Sequence, residues 1–354
     1  MQDFTFKFFP VMESSRFDIQ AQFIDQGILR RGLVSFYYKD RYYELVKVVG
    51  AERLGKVDLL IDSGAFTVMT KGIAVDIDAY IAYLHEVKNA NLWKTLYAFN
   101  LDVIPESDKE LSLRPTLSST KINLAAEKSW DNYLYICKKG IDFVIPVFHY
   151  GENVQWLRRM VEYGCQYIAL GGMAGRMKSK TDKRAGIKEV FDDLARFGYQ
   201  GKVHMLGLSS GDQACSYRWY SGDSTLAKRY SYGRIDLFVP EYASKIIAVG
   251  VSPVRPEQLR FHTSYDTAAL LSPERFGELM SLIGMKNEVK WEELGEPTAR
   301  AYNLRWEICL RSWVTFEDWI NVKRCELGRF EIYNLGSQKS FLPDVLPGYS
   351  PDEE

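Results

Sequence analysis

The feature that most constrains this chain is a strict alternation of short apolar runs with longer stretches of helical periodicity. Val57, Leu59, Leu60 and Ile61 make a near-continuous apolar run, as expected of a strand buried on both faces. A helix is predicted next: Asp76 can cap it, and Ile77, Tyr80, Ile81 and Leu84 fall at i, i+3, i+4 and i+7. The pattern continues with a strand over 96–104, a helix over 120–139 and a strand over 143–148. Asn153 then caps a helix that turns Val154, Leu157 and Val161 inward, and a strand follows at 167–170. Ile187, Val190, Phe191 and Leu194 mark another helix, which Gly198 can end. Further strands are predicted at 203–208, 219–221 and 246–251. Strands that alternate with helices pair in parallel. About seven or eight such units favour a closed TIM-type (β/α)8 barrel over an open doubly wound sheet. Residues 1–271 are the expected barrel, 272–341 a helical region packed on it, and 342–354 a loose acidic tail.

The 354 residues suit a barrel with added helices. With 45 Lys+Arg against 46 Asp+Glu, global charge does not advertise a nucleic-acid binder, so any phosphate contact must come from local clusters. The five cysteines form no C-x-C or C-x-x-C pair, which argues against a disulfide framework or a zinc site and for a reducing compartment. There is no apolar run of membrane-spanning length and no signal-peptide core. The expected location is the cytoplasm, or the host cytoplasm for a phage-encoded chain.

In a parallel barrel the reactive groups sit where strands end. Four sites at strand ends carry unusual text, one of them spread over two strands. Asp62-Ser63-Gly64-Ala65-Phe66 brings a carboxylate out of an apolar strand, beside small residues that leave room for a flat ligand and an aromatic ring that could stack on it. Asn100 and Asp102 alternate out of the next strand and are expected on one side of it. His149 ends a strand, and Gly171-Gly172-Met173 exposes backbone donors at the end of another. Asp223 follows a short strand, flanked by Ser221, Ser224 and Thr225, of which Ser224 or Thr225 could orient its carboxylate. Each segment alone is equally open to a bland explanation: a turn-capping Asp, a backbone-bonded polar pair, a structural His, a tight glycine turn, a helix-capping Asp.

Taken in order, these segments resemble the tRNA-guanine transglycosylase family, and within it the phage and bacterial DNA-modifying branch. The family's D-S-G-G-F/Y motif is similar to Asp62-Ser63-Gly64-Ala65-Phe66, and its F-D-x-x-x-P strand resembles Phe99 to Pro105. Its G-G-L/M-A loop resembles Gly171-Gly172-Met173-Ala174, and its L-M-G-V-G strand resembles Met205-Leu206-Gly207-Leu208-Ser209. The nucleophile segment resembles Ser221-Gly222-Asp223-Ser224-Thr225, nearer to the DNA branch's S-x-D-S-T than to the tRNA branch's F-D-C-V. His149 stands where the tRNA enzymes carry Gln. The tRNA members' C-x-C-x-x-C and downstream His have no counterpart, so neither the zinc subdomain nor any other metal or cofactor is expected.

The resemblance implies base exchange. Asp223 would attack the sugar C1′ and expel guanine, giving a covalent glycosyl-aspartate, and Asp62 would move the proton to and from the base. Phe66 and Leu206 would sandwich the base. Asp102 or Asn100, with His149 and the Gly171, Gly172 and Met173 backbone, would read its edge. The free base partner would be a 7-deazaguanine such as 7-cyano-7-deazaguanine. Arg176, Lys178, Lys180, Lys183 and Arg184 after the Gly-Gly turn, with Lys228 and Arg229 after the nucleophile, are expected at the mouth as phosphate contacts. The implied acceptor is DNA, bound by a monomer. A tRNA exchanger, a two-carboxylate glycoside hydrolase and a catalytically inactive nucleic-acid-binding barrel are the competing readings.

Overall fold

A computed structural model of the chain describes residues 5–12, 16–65, 75–104, 119–171, 180–207, 211–224, 233–241, 246–251, 272–285 and 288–326. It is a mixed α/β structure with two parallel sheets. The strands in chain order are β1 (Lys7–Pro10), β2 (Arg31–Ser35), β3 (Asp58–Asp62), β4 (Thr95–Phe99), β5 (Val144–Ile145), β6 (Val147–His149), β7 (Tyr167–Gly171), β8 (Lys202–Met205), β9 (Ser221–Ser224), β10 (Arg234–Phe238) and β11 (Ile246–Gly250). One parallel sheet has the order β1-β9-β8-β7-β6 and the other β2-β3-β4-β5, while β10 and β11 form a separate antiparallel pair.

Several strand assignments differ from the sequence reading, which does not anticipate β10. β1 and β2 are not anticipated by it: one is four residues ending in Pro10 and the other opens on Arg31-Gly32, so neither carries a long apolar run. The strand expected near 246 exists but pairs antiparallel with β10, outside the parallel sheets. The single strand expected over 143–148 is two strands, because Pro146 lacks an N–H and interrupts the ladder.

The helices that the periodicity predicts before residue 272 are found, while Phe17–Asp25, Lys39–Val49, Ala51–Leu54 and Gly211–Ser216 are not anticipated by it. Asp76 caps the Ile77–Ala90 helix by accepting from the Asp78 and Ala79 N–H groups, and Tyr80, Ile81 and Leu84 are buried. Asn153 caps the Val154–Glu162 helix through the Gln155 N–H at 3.0 Å. Gly198 follows the Lys180–Arg196 helix at φ +71°.

Strand side chains divide by parity, as the pleat requires. Phe8, Val34, Leu59, Ile61, Ala98, Phe148, Ile168, Leu170, Val203 and Met205 join the large core shared with the helices. Phe9, Leu33, Leu60, Phe99, Ile145, Val147, Tyr167, Ala169 and Tyr220 form a second, smaller cluster with no helical member. That inner cluster draws on both sheets, so the two sheets face each other across it.

The sheets also meet at two seams. At the first, β5 belongs to one sheet and β6 to the other, with Pro146 between them. The Val147 N–H donates to Asn100 Oδ1 at 3.0 Å, and the Ala169 N–H to the Pro146 carbonyl at 2.9 Å. At the second, Val11 bridges Leu33 in parallel, and the Met12 N–H donates to the Leu33 carbonyl at 2.8 Å. The N-terminal half of this seam is filled by the Ala299–Glu326 helix. Glu317 Oε2 accepts from the Phe8 N–H at 2.7 Å, and Asn321 binds both the N–H and the carbonyl of Phe6. Arg31 of β2 reaches Glu317 at 2.6 Å, and Trp313 stacks on Phe8 with ring centroids 4.3 Å apart. The helical region expected after residue 272 is present as Pro273–Leu282, Trp291–Leu294 and Ala299–Glu326; the expected tail 342–354 lies outside the described residues.

Candidate active site

Because the strands of each sheet are parallel, their C-terminal ends share one edge, and the polar residues collect there. Asp62 ends β3, His149 ends β6, Gly171 ends β7, Leu206 follows β8 and Asp223 lies within β9. By strand parity Asp62, His149, Gly171 and Asp223 all belong to the inner face, in step with Leu60, Val147, Ala169 and Phe9, the last being the register partner of Asp223.

Asp102 joins the ends of the two sheets. Its Oδ2 lies 3.0 Å from His149 Nε2, and its Oδ1 accepts from the Ser63 hydroxyl at 3.2 Å. His149 Nδ1 lies 3.0 Å from Glu152 Oε1. The imidazole is therefore clamped between two carboxylates. Burial favours the neutral ring, but hydrogen bonds and charge from Asp102 and Glu152 prevail and raise the His149 pKa to about 9. A protonated ring donates from both nitrogens and meets both acceptors. His149 thus acts on its surroundings through Asp102.

Asn100 takes another position. It follows Phe99 and has the outward parity, so its Nδ2 donates to the Ser129 carbonyl at 2.9 Å in the Ser119–Lys138 helix. Together with its bond to Val147, this makes Asn100 a brace of the β5–β6 seam. The expectation that Asn100 and Asp102 project to one side does not hold. β4 ends at Phe99, and the Asp102 N–H turns back onto the Asn100 carbonyl at 2.9 Å, so strand alternation no longer applies. Of the two alternatives for the polar reader at this position, Asp102 is the one among the titratable groups of the mouth.

Asp62 is partly buried at the same edge, and its pKa is pushed up to about 7. Burial is the main cause, then the charge of Asp102; the Ser35 hydroxyl and the Gly64 N–H oppose the rise, and Asp223 adds to it. The charge of Asp223 therefore reaches Asp62. Gly64 holds φ +83°, and a Cβ there would lie 2.9 Å from Tyr37 Cβ, so the turn beneath Asp62 needs a glycine twice over.

Asp223 is buried, and its Oδ1 accepts from His204 Nε2 and from the Gly207 N–H, each at 3.0 Å. Ser224 does not orient it, since Asp223 sits inside the strand and Ser224 falls on the opposite face; the Ser224 carbonyl instead accepts from the Val11 N–H. Thr225 lies outside the described residues. Gly171 separates His149 from Leu206: a Cβ there would come within 2.9 Å of His149 Cδ2 and 3.0 Å of Leu206 Cδ1.

The structure thus brings together Asp62, Asp102, His149, Gly171, Leu206 and Asp223. Phe66, Gly172, Met173, Arg176, Lys178, Lys228 and Arg229 lie outside the described residues, as do the side chains of Lys180, Lys183 and Arg184. Four participants escaped the sequence reading: Ser63, Glu152, His204 and Tyr167. Glu152 is legible in retrospect as a carboxylate three residues after His149. His204 is legible from parity, as the polar residue between Val203 and Met205 in a buried strand. Among the described residues no group of three or more His, Cys, Asp or Glu is placed to hold a metal ion, and no helix is long and apolar enough to cross a membrane.

No protein-family model matches the chain, and no curated protein matches its sequence.

Proposed function

We propose that this protein is a DNA-guanine transglycosylase on a closed (β/α)8 barrel. The barrel reading rests on the two seams. Taking the β5–Pro146–β6 segment as one bent strand and the Val11–Leu33 bridge as the closing contact, the parallel order runs β1, β2, β3, β4, β5/β6, β7, β8, β9 and returns to β1. Eight parallel strands around a helix-free inner cluster are what such a barrel requires.

One observation carries the chemical reading: two carboxylates, Asp62 and Asp223, share the inner face at the strand ends, and burial with the charge of Asp102 raises Asp62 to about 7. A double-displacement exchange at a glycosidic carbon needs a nucleophile and a group that holds a proton part of the time near neutrality. Asp223 Oδ2 attacks C1′; the bond from oxygen to C1′ forms as the bond to the guanine nitrogen breaks, and the electron pair leaves with the base. Protonated Asp62 gives its proton to the departing base. The ionised Asp62 then takes a proton from the incoming 7-deazaguanine, whose ring nitrogen displaces Asp223 from C1′. Asp102, held as an acceptor by His149 and Ser63, suits the paired N–H donors on the guanine edge. The target base must leave the stack to reach the site.

The DNA acceptor is favoured by the Ser221-Gly222-Asp223-Ser224-Thr225 segment and by the missing zinc-ligand motif. The test is exchange of labelled guanine out of duplex DNA and out of tRNA, with 7-cyano-7-deazaguanine as the incoming base. Base turnover in DNA supports the reading, turnover in tRNA alone moves it to the tRNA enzymes, and binding without turnover supports an inactive barrel.

A further inference from the structure

Beneath Asp223 lies a chain of buried polar groups that the exchange chemistry does not itself use. His204 Nε2 is 3.0 Å from Asp223 Oδ1. His204 Nδ1 is 2.5 Å from Ser221 Oγ, and Ser221 Oγ is 2.5 Å from the Tyr167 hydroxyl. His204 and Ser221 have no exposed surface. The imidazole is packed among Phe99, Phe9 and Tyr167, with ring centroids at 4.9, 6.4 and 6.5 Å. Polar groups buried this deeply in an apolar cluster persist where each hydrogen bond is made.

With the His204 ring neutral, the donors follow by elimination. A carboxylate oxygen only accepts, so the hydrogen of that bond sits on His204 Nε2. A neutral ring then offers a lone pair at Nδ1, which the Ser221 hydroxyl fills as donor. The Ser221 oxygen is left to accept, so the Tyr167 hydroxyl donates to it. Burial raises the Tyr167 pKa well above its ordinary value, which keeps that proton in place. The hydrogen bonds therefore run in one direction, from Tyr167 to Ser221 to His204 to Asp223. The Gly207 N–H meets the same oxygen, Oδ1, as His204 does.

We infer that His204 is a positioning residue for the nucleophile: anchored from behind by Ser221 and Tyr167, it pins Oδ1 of Asp223 and leaves Oδ2 to attack. This rests on the transglycosylase reading for the identity of the attacked atom, but the wire itself does not. With the opposite tautomer, Nε2 would present a lone pair to the carboxylate, and the bond would become a repulsion. Ser221 and Tyr167 therefore act on the chemistry at second hand, by selecting which ring nitrogen bears hydrogen.

The wire is read first without substrate. Two-bond proton–nitrogen NMR of the whole protein at neutral pH is expected to show His204 with hydrogen on Nε2 alone. Ser221→Ala, and separately Tyr167→Phe, should convert this to a tautomer mixture; Tyr167→Phe preserves the ring and serves if the other variant fails to fold. The second readout is the single-turnover rate of covalent adduct formation with duplex DNA. Ser221→Ala should slow it by roughly tenfold, the scale of one hydrogen bond to a charged group, with duplex affinity unchanged. His204→Gln, which retains an N–H donor, should keep more activity than His204→Leu. Hydrogen on Nδ1 in the parent protein, or a Ser221→Ala variant with parent tautomer and parent rate, overturns the proposal. A parent protein that shows the Nε2 tautomer and its loss in Ser221→Ala, yet forms no adduct, supports the wire and refutes the transglycosylase reading.

Discussion

In the proposed exchange Asp62 and Asp223 divide the labour through their surroundings. Asp223 receives two N–H donors on one oxygen, whereas Asp62 is partly buried near Asp102 and raised to about 7. The first half of the exchange needs Asp62 protonated, so adduct formation should fall as pH rises past about 7. The second half needs it ionised, so release of the adduct to the incoming base should fall below that pH. Rapid-quench measurement of each half-reaction against pH checks this, and Asp62→Asn should flatten both limbs while duplex affinity is retained. Asp223→Asn should abolish the adduct with the fold intact, because an amide does not form the glycosyl ester; an adduct mapped by peptide mass analysis to another residue would sink the assignment. His149 supplies a separate, stability-based test. Its folded pKa of about 9 lies above the ordinary 6.5, so the folded state holds the proton more tightly than the unfolded chain. That contribution is fully present below pH 6.5 and is lost as pH rises through about 9, on the order of a few kcal/mol. Chemical denaturation of the parent protein should show stability declining across this window, and His149→Gln should remove most of the decline. A parent with flat stability from pH 6.5 to 9 would mean that the ring is not held charged between Asp102 and Glu152.

At the scale of elements, the Ala299–Glu326 helix substitutes side chains for a missing backbone ladder. The N-terminal half of the β1–β2 seam has Glu317 and Asn321 where strand partners would stand, and Glu317 is buried. Removing it strands the Phe8 N–H and leaves the charge of Arg31 to Asp58, whose Oδ2 lies 3.5 Å from its Nε. Glu317→Ala should therefore cost about 3–5 kcal/mol, and Glu317→Gln less, since an amide oxygen can still accept from Phe8. Equilibrium urea unfolding measures both; a Glu317→Ala loss under about 1 kcal/mol would show that the helix is not what holds the seam. This dependence also explains which elements were legible in the sequence. β3 and β7 are buried on both faces and read as continuous apolar text, and the helices capped by Asp76 and Asn153 announce their own starts. β1 and β2 are short, and part of what holds them in place comes from Glu317, nearly three hundred positions downstream, which no local pattern encodes. The same holds in the site. Asp62, His149 and Asp223 were legible as polar residues at strand ends. The outward turn of Asn100 was not, because it depends on Ser129 in the following helix and on the ladder gap made by Pro146.

At the scale of the whole molecule, the site is a mouth formed where two parallel sheets bring their C-terminal ends together, with Asp102 and His149 joining one sheet's end to the other's. In the proposed exchange this mouth would take a base that has left its helix, and it does not by itself choose between DNA and tRNA. The choice falls to the surrounding loops. The Lys180–Arg196 helix follows β7, so its N-terminal segment belongs to the connection that leaves the reactive edge. The sequence puts Arg176, Lys178, Lys180, Lys183 and Arg184 in that connection. The chain as a whole is close to neutral, so the proposed DNA binding would have to rest on such a local cluster. Replacing these five residues by Gln should weaken duplex binding at low salt and flatten the salt dependence, by up to about 0.9 in log–log slope for each phosphate that is no longer neutralised. The base accepted should not change, since phosphates carry no sequence information and the proposed reader of the base is Asp102. Fluorescence anisotropy on a labelled duplex over a salt series, run beside base incorporation into the same duplex and into bulk tRNA, separates these effects. An unchanged slope would place the phosphate-binding groups elsewhere on the mouth; incorporation into tRNA with none into DNA would reassign the acceptor while leaving Asp62, Asp223 and the exchange chemistry in place.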